Sequence, residues 1–207
     1  MQPPARRGPP VRWGEPPPNA LSRAAARIRA WFGTPGPATP RAGLRPLPVA
    51  LQRSELAAPY LSADRAGDHE AAGQAATMAM ERSQAAGEWW PADIWGHRAL
   101  WHYEQAGMAL EATRAARLIG DLRWAAGDPA SARRYYAEAV SEARDLGAER
   151  EQGLAALGMG RAALDLADVT TARRLAAIAE ELLERAGAPG DELQAARDLR
   201  GEEREVS

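Results

Sequence analysis

Few residues of this 207-residue chain have types and spacings that could do chemistry. The histidines are His69, His97 and His102. His97 and His102 lie about 140° apart around a helix that turns ~100° per residue, so they share no face. His69-Glu70 has no second histidine four residues on, as a helical zinc motif requires. The histidines are therefore expected to be packed or solvated, and no metal site is expected. Gly158-Met159-Gly160-Arg161-Ala162-Ala163 has the G-x-G-x-x-A spacing of a dinucleotide-binding turn. That turn needs a strand immediately before it, and Glu151 to Leu157 reads as a helix already under way. The acid pairs Glu180-Glu181 and Glu202-Glu203 read as solvated helix faces. No Ser-His-Asp pattern stands out. There is no cysteine, and all 26 basic residues are arginine. Thiolate metal sites, cysteine nucleophiles, Schiff-base lysines and P-loops are thereby excluded. The expectation is a protein with no catalytic residues, no cofactor and no small-molecule substrate.

The elements around these residues fall into two parts. Twelve of the 16 prolines lie in residues 1–48, which carry eight arginines against the single acid Glu15. That segment is +7, which leaves −9 for the remainder of a chain whose total is −2. Proline runs lack amide donors and bury little apolar surface, so 1–48 is expected to be a mostly disordered arm. Within it, Asn19 can cap an amphipathic helix over residues 20–32, with Leu21, Ala25, Ile28 and Phe32 on one face. That helix would dock on the acidic body, on a partner or, least favoured, on a membrane surface. Residues 49–66 read as a partly helical lead-in, and 203–207 as a tail. No apolar run approaches ~18 residues, and the chain starts without a secretory h-region, which points to the cytoplasm. The high Ala, Arg, Gly and Pro content without lysine suggests a bacterium with a GC-rich genome. The net charge offers no case for nucleic acid.

Residues 67–202 repeat with a period of 40. Glycine recurs at Gly67, Gly107, Gly147 and Gly187, each closing a helical pattern where a positive φ is wanted. Small residues align in four further columns: Ala75-Ala76 with Ala115-Ala116, Ala155-Ala156 and Ala195-Ala196; Gly87 with Gly127 and Ala167; Ala92 with Ala132 and Ala172; Ala99 with Ala139 and Ala179. Each unit predicts a helical hairpin, such as Glu149 to Leu166 followed by Thr170 to Ala186. Gly120, Gly160, Ala132 and Ala172 would sit where helix axes cross closely. One hairpin cannot bury its apolar face alone, so neighbours must stack.

These residues resemble the tetratricopeptide repeat family, in its longer bacterial variety. The unit with Ile119-Gly120, Ala132, Tyr136 and Ala139 around Gly127-Asp128 carries the resemblance best. Met159-Gly160, Ala172 and Ala179 follow it, with Ala176 in place of the aromatic. The first-helix tryptophan and tyrosine usual in the family are absent. The resemblance implies an all-α solenoid of about three antiparallel hairpins plus a terminal helix over roughly 68–200.

It also implies a concave surface lined by the first helix of each unit, where a partner polypeptide lies. By register that groove would include Arg114, Arg117, Asp121, Trp124, Leu157, Arg161, Leu164 and Arg197. Arginine forks match carboxylates, so the expected partner is a protein segment that is acidic or bears a carboxylate. The pairs Arg117–Asp121 and Arg161–Asp165 are four residues apart and can also satisfy each other. Trp89 and Trp90 read as an inter-helix turn, tucked against the first hairpin or offered as a second contact. The function implied is a non-catalytic interaction module: an adaptor, scaffold or assembly factor. The alternative is a regulatory or sensor component of a bacterial signalling or transcription system, acting through a separate effector chain.

Overall fold

A computed structural model describes residues 46–201. Except for residues 46–48, the arm expected over 1–48 lies outside the described residues, as do its helix at 20–32 and the tail at 203–207. Among the described residues every regular element is a helix: α1 Val49–Gln52, α2 Ala57–Ala66, α3 His69–Ala85, α4 Trp89–Gln105, α5 Ala109–Ala125, α6 Pro129–Asp145, α7 Glu149–Asp165, α8 Val169–Arg185 and α9 Gly190–Arg200. Six of them, α3 to α8, are 17 residues long and joined by three-residue turns.

One turn chemistry closes these helices. After the last helical residue the chain passes through a position with positive φ, filled by glycine at Gly67, Gly87, Gly107, Gly127, Gly147 and Gly187. The next amide reaches back five residues, as in Glu88 N–H to Ser83 O at 2.8 Å and Asp168 N–H to Ala163 O at 2.9 Å. That is the Schellman closure, which satisfies carbonyls left without partners at a helix end. Ala167 holds the same left-handed position at φ 63° with a side chain attached. Three turns end in aspartate. The side chains of Asp68, Asp128 and Asp168 accept the N–H of Ala71, Ser131 and Thr171 at 3.0, 3.1 and 3.1 Å, starting the next helix.

The helices pack as three antiparallel hairpins, α3–α4, α5–α6 and α7–α8, with α9 laid on α8. In addition α5 rests on α7, and α7 on α9, while α6 and α8 lack a comparable contact. The first helices therefore sit on the inside of a curved, solenoid-like stack and the second helices on the outside. The core alternates rings with absent side chains. A Cβ on Gly120 would stand 2.8 Å from the Tyr136 ring, and one on Gly158 would stand 2.4 Å from it. Tyr136 is thus gripped between α5 and α7. Gly73 meets Tyr103 in the same way. A Cβ on Gly160 would stand 3.3 Å from the Ala172 carbonyl, the crossing its small-residue column implied. Residues 49–66 belong to the same body, since Leu51, Ala57 and Tyr60 are buried in the core shared with α3 and α4.

Candidate functional site

The inner surface between α5 and α7 gathers most of the groove residues read from the sequence. Arg117 is mostly buried and forms a close ion pair with Glu151 of α7. It also bonds Asp121 at 2.7 Å. The Tyr136 hydroxyl donates to the other oxygen of Asp121 at 2.7 Å. Burial raises the Asp121 carboxyl above the ordinary carboxylate range, with the Arg117 charge pulling the other way. Burial, and after it the Asp121 charge, pushes the Tyr136 phenol up. Further along, the Trp124 indole donates to Asp165 at 2.8 Å, and the Arg161 guanidinium lies over the Trp124 ring at 5.9 Å. Leu164 is 45% exposed beside them.

Two groove residues are elsewhere. Leu157 is 3% exposed and belongs to the core, packed with Ala179, Leu183 and Ala196. α9 covers that position, so a leucine there is buried. Arg197 bonds Glu180 at 2.6 Å and Glu184 at 2.7 Å. Both acids are on α8, so Arg197 spans the α8–α9 seam. Trp89 and Trp90 form the first turn of α4, one step past the loop in which the sequence placed them. Both pack against the core. Glu88, the residue before them, is the N-cap, which leaves the three-residue turn no room for an indole.

A shallow cleft of about 570 Å³ opens on the inner surface where α5, α7 and α9 meet. Leu110 and Leu154 supply its apolar lining, with Arg114, Arg150, Glu149 and Glu192 around them. Arg150 is held by Glu192 through two bonds of 2.6 and 3.1 Å. Arg114 differs from the other groove arginines. Its side chain is 50% exposed and approaches Glu111 at 3.8 Å and Glu151 at 3.7 Å, beyond hydrogen-bond reach.

No protein-family model matches the chain, and no curated protein is significantly similar to it. The arrangement has to be read from its own geometry.

The histidines are packed, in a pattern the spacing did not reveal. His102 is fully buried between α2, α3 and α4. Arg98 donates to the Tyr60 hydroxyl at 2.6 Å, Tyr60 Oη lies 3.1 Å from His102 Nε2, and His102 Nδ1 lies 3.0 Å from His69 Nδ1. Burial lowers His102 to about 4, against the pull of the Asp64 carboxylate. The ring is then neutral at pH 7. The His102 ring thus bridges the Tyr60 hydroxyl and His69, with its tautomer setting which side donates. His97 bonds the Asp93 carbonyl at 2.7 Å and the Tyr135 hydroxyl at 2.8 Å. No group of three or more metal-ligating side chains occurs among the described residues. No described helix is long and apolar enough to cross a membrane.

Proposed function

We propose that this chain is a non-catalytic protein-interaction module whose inner cleft takes an extended segment of a partner polypeptide. The observation that carries the reading is Arg114. Most charges of the inner surface are tied by hydrogen bonds within the fold, and this guanidinium stands half exposed at the mouth of a cleft, within ion-pair distance of Glu111 and Glu151 but beyond hydrogen-bond reach of either. A carboxylate on the partner would complete it as a bidentate pair, and Leu110 and Leu154 would cover an adjoining aliphatic side chain. An adaptor or scaffold needs no more than this. The curved stack, the apolar floor and a half-exposed guanidinium with loosely held carboxylate neighbours support that role.

The test is selection from a displayed random-peptide library against the whole chain. Enriched peptides should carry an acid next to an aliphatic residue. A charged hydrogen bond contributes ~1.5–3 kcal/mol, so Arg114→Ala should weaken the selected peptides about tenfold or more. Leu154→Asp should abolish their binding. Enrichment that ignores both substitutions would place the binding surface elsewhere.

A further inference from the structure

Two short helices, α1 and α2, pack on the first hairpin at the N-terminal end of the described stack. Leu47, Leu51, Ala57 and Tyr60 anchor them in the core shared with α3 and α4. The Tyr60 ring meets Trp95 edge-on, with 5.2 Å between centroids.

The polar contacts of this seat converge on His102 of α4, which is fully buried. From α2, Tyr60 Oη stands 3.1 Å from its Nε2, and Asp64 Oδ1 stands 3.6 Å from the same nitrogen. From α3, His69 Nδ1 stands 3.0 Å from its Nδ1. From one turn earlier on α4, Arg98 donates to the Tyr60 hydroxyl at 2.6 Å. Among the described residues, Asp64, His69 and Arg98 are the charged or titratable groups that act on the ring, and none comes from α5.

This arrangement suits a neutral imidazole. One ring nitrogen then donates and the other accepts, so the bonds to Tyr60 and His69 can both be satisfied. In an imidazolium both nitrogens donate. Tyr60 Oη would then receive two cationic donors, Arg98 and His102, and its own hydrogen would lose the Nε2 acceptor. His69 could keep its contact only with Nδ1 unprotonated, so the two rings cannot both charge in place. Asp64 compensates weakly. It lies beyond hydrogen-bond distance of Nε2, and its side chain is 43% exposed, so solvent reduces its pull.

We infer that α1 and α2 form an acid-released latch: protonation of the His102 ring undocks residues 47–66 from α3 and α4 while the hairpins stay folded. Position makes the opening local. A short segment at the end of a stack opens at lower cost than the whole fold. α5 to α9 contain no histidine, so protonation in the histidine range acts on the first hairpin. His97 is the remaining histidine, and it bonds Tyr135 with the Asp93 carboxylate 3.8 Å away, a setting that accepts charge. Undocking lifts Tyr60 off Trp95 and bares an apolar end of the stack that is closed at neutral pH.

The experiment is native-state hydrogen exchange of the full chain, read by mass spectrometry and corrected for intrinsic rates. An open seat lets His102 protonate near its ordinary value of about 6.5, while the closed seat holds it at about 4. The opening equilibrium should therefore grow about twentyfold between about pH 7 and about pH 5. Peptides from residues 49–66 should lose protection by that factor, and peptides from α5 to α8 should keep theirs. His102→Gln retains a donor and an acceptor without a titrating charge and should remove the pH dependence. His97→Gln should leave it intact. The parent's own profile tests the assignment without a substitution: the loss should begin as pH falls through about 6.5, above the range of ordinary carboxylates. Four results would each overturn the latch: equal loss over α2 and the hairpins, no loss, a loss that begins only in the carboxylate range, or the same loss in His102→Gln.

Discussion

Substituting Gly158 by alanine tests the packing that sets the spacing of the solenoid. In an exposed helix interior the change would gain up to ~1 kcal/mol from helix propensity. At Gly158 the new Cβ would lie 2.4 Å from Cε1 of Tyr136 and 2.6 Å from Cζ. The ring has little room to yield. It is 1% exposed, its hydroxyl is tied to Asp121 at 2.7 Å, and Gly120 of α5 bounds its other side. Overpacking of this kind costs ~1–3 kcal/mol. We expect Gly158→Ala to destabilise the chain by about 1–2 kcal/mol after the propensity gain. Gly190→Ala is the control, since nothing lies within 4 Å of a Cβ there. It should be neutral or stabilising. Urea unfolding followed by circular dichroism reads both. A Tyr136→Leu background removes the ring and should erase most of the Gly158→Ala penalty, whereas Tyr136→Phe keeps the ring and should keep the penalty. If Gly158→Ala proves neutral beside an intact Tyr136, the ring does not lock α5 to α7 and the reasoning fails.

Three further outcomes follow from named atoms. Ala167→Gly should raise stability by about 1 kcal/mol, because a Cβ in the left-handed region costs roughly that much and the equivalent turns carry glycine at φ of 63° to 82°; a lower urea midpoint would refute it. His102 makes stability depend on pH. The unfolded chain protonates near the ordinary histidine value of about 6.5, while the folded chain resists protonation down to about 4. Within that window the unfolded state holds more protons, so stability falls as pH falls and levels off below it, by roughly 3 kcal/mol in total. Thermal melts across the window should show a slope that His102→Gln makes shallower by about one proton. Finally, Arg117→Ala should cost about 2 kcal/mol or more by stranding the Glu151 carboxylate, which is nearly buried; a melt within error of the parent would show that the pair is not needed.

The repeating backbone was legible because turn chemistry is local. A glycine after a helical pattern, an aspartate before the next one and alanines in register each report on a few neighbouring residues. They located the hairpin helices to within a residue or two. The same register failed for individual side chains. Arg117, Leu157 and Arg197 occupy equivalent positions one period apart, and the structure treats them differently. The position is half covered by the next first helix. An arginine there extends its head to an acid, whereas a leucine simply enters the core. Which acid it finds depends on the offset between neighbouring hairpins: Glu151 for Arg117, and Glu180 and Glu184 for Arg197. The His102 cluster was hidden for a related reason. Tyr60 lies on α2, outside the 40-residue marker columns, and only the docking of α2 brings its hydroxyl between Arg98 and the histidine.

Curvature accounts for the opposite fates of arginine on the two faces. Where α5 meets α7, the Arg117 side chain is mostly covered. A guanidinium there loses hydration and is stable only beside carboxylates, as with Arg117 between Asp121 and Glu151. On the outside the helices diverge, and water reaches α6 and α8 freely. An arginine in water costs almost nothing there, so Arg133 and Arg174 need no closer partner than the Asp168 carboxylate on which both act. Val169 and Ile178 are exposed on opposite sides of α8. Concentration of arginine therefore marks different things on the two faces. Inside, it marks internal neutralisation, tight for Arg117 and looser for Arg114, whose carboxylate neighbours stand 3.7 and 3.8 Å away. Outside, it marks solvated charge, whose interactions should weaken with salt, while the buried pairs that hold the stack together should not.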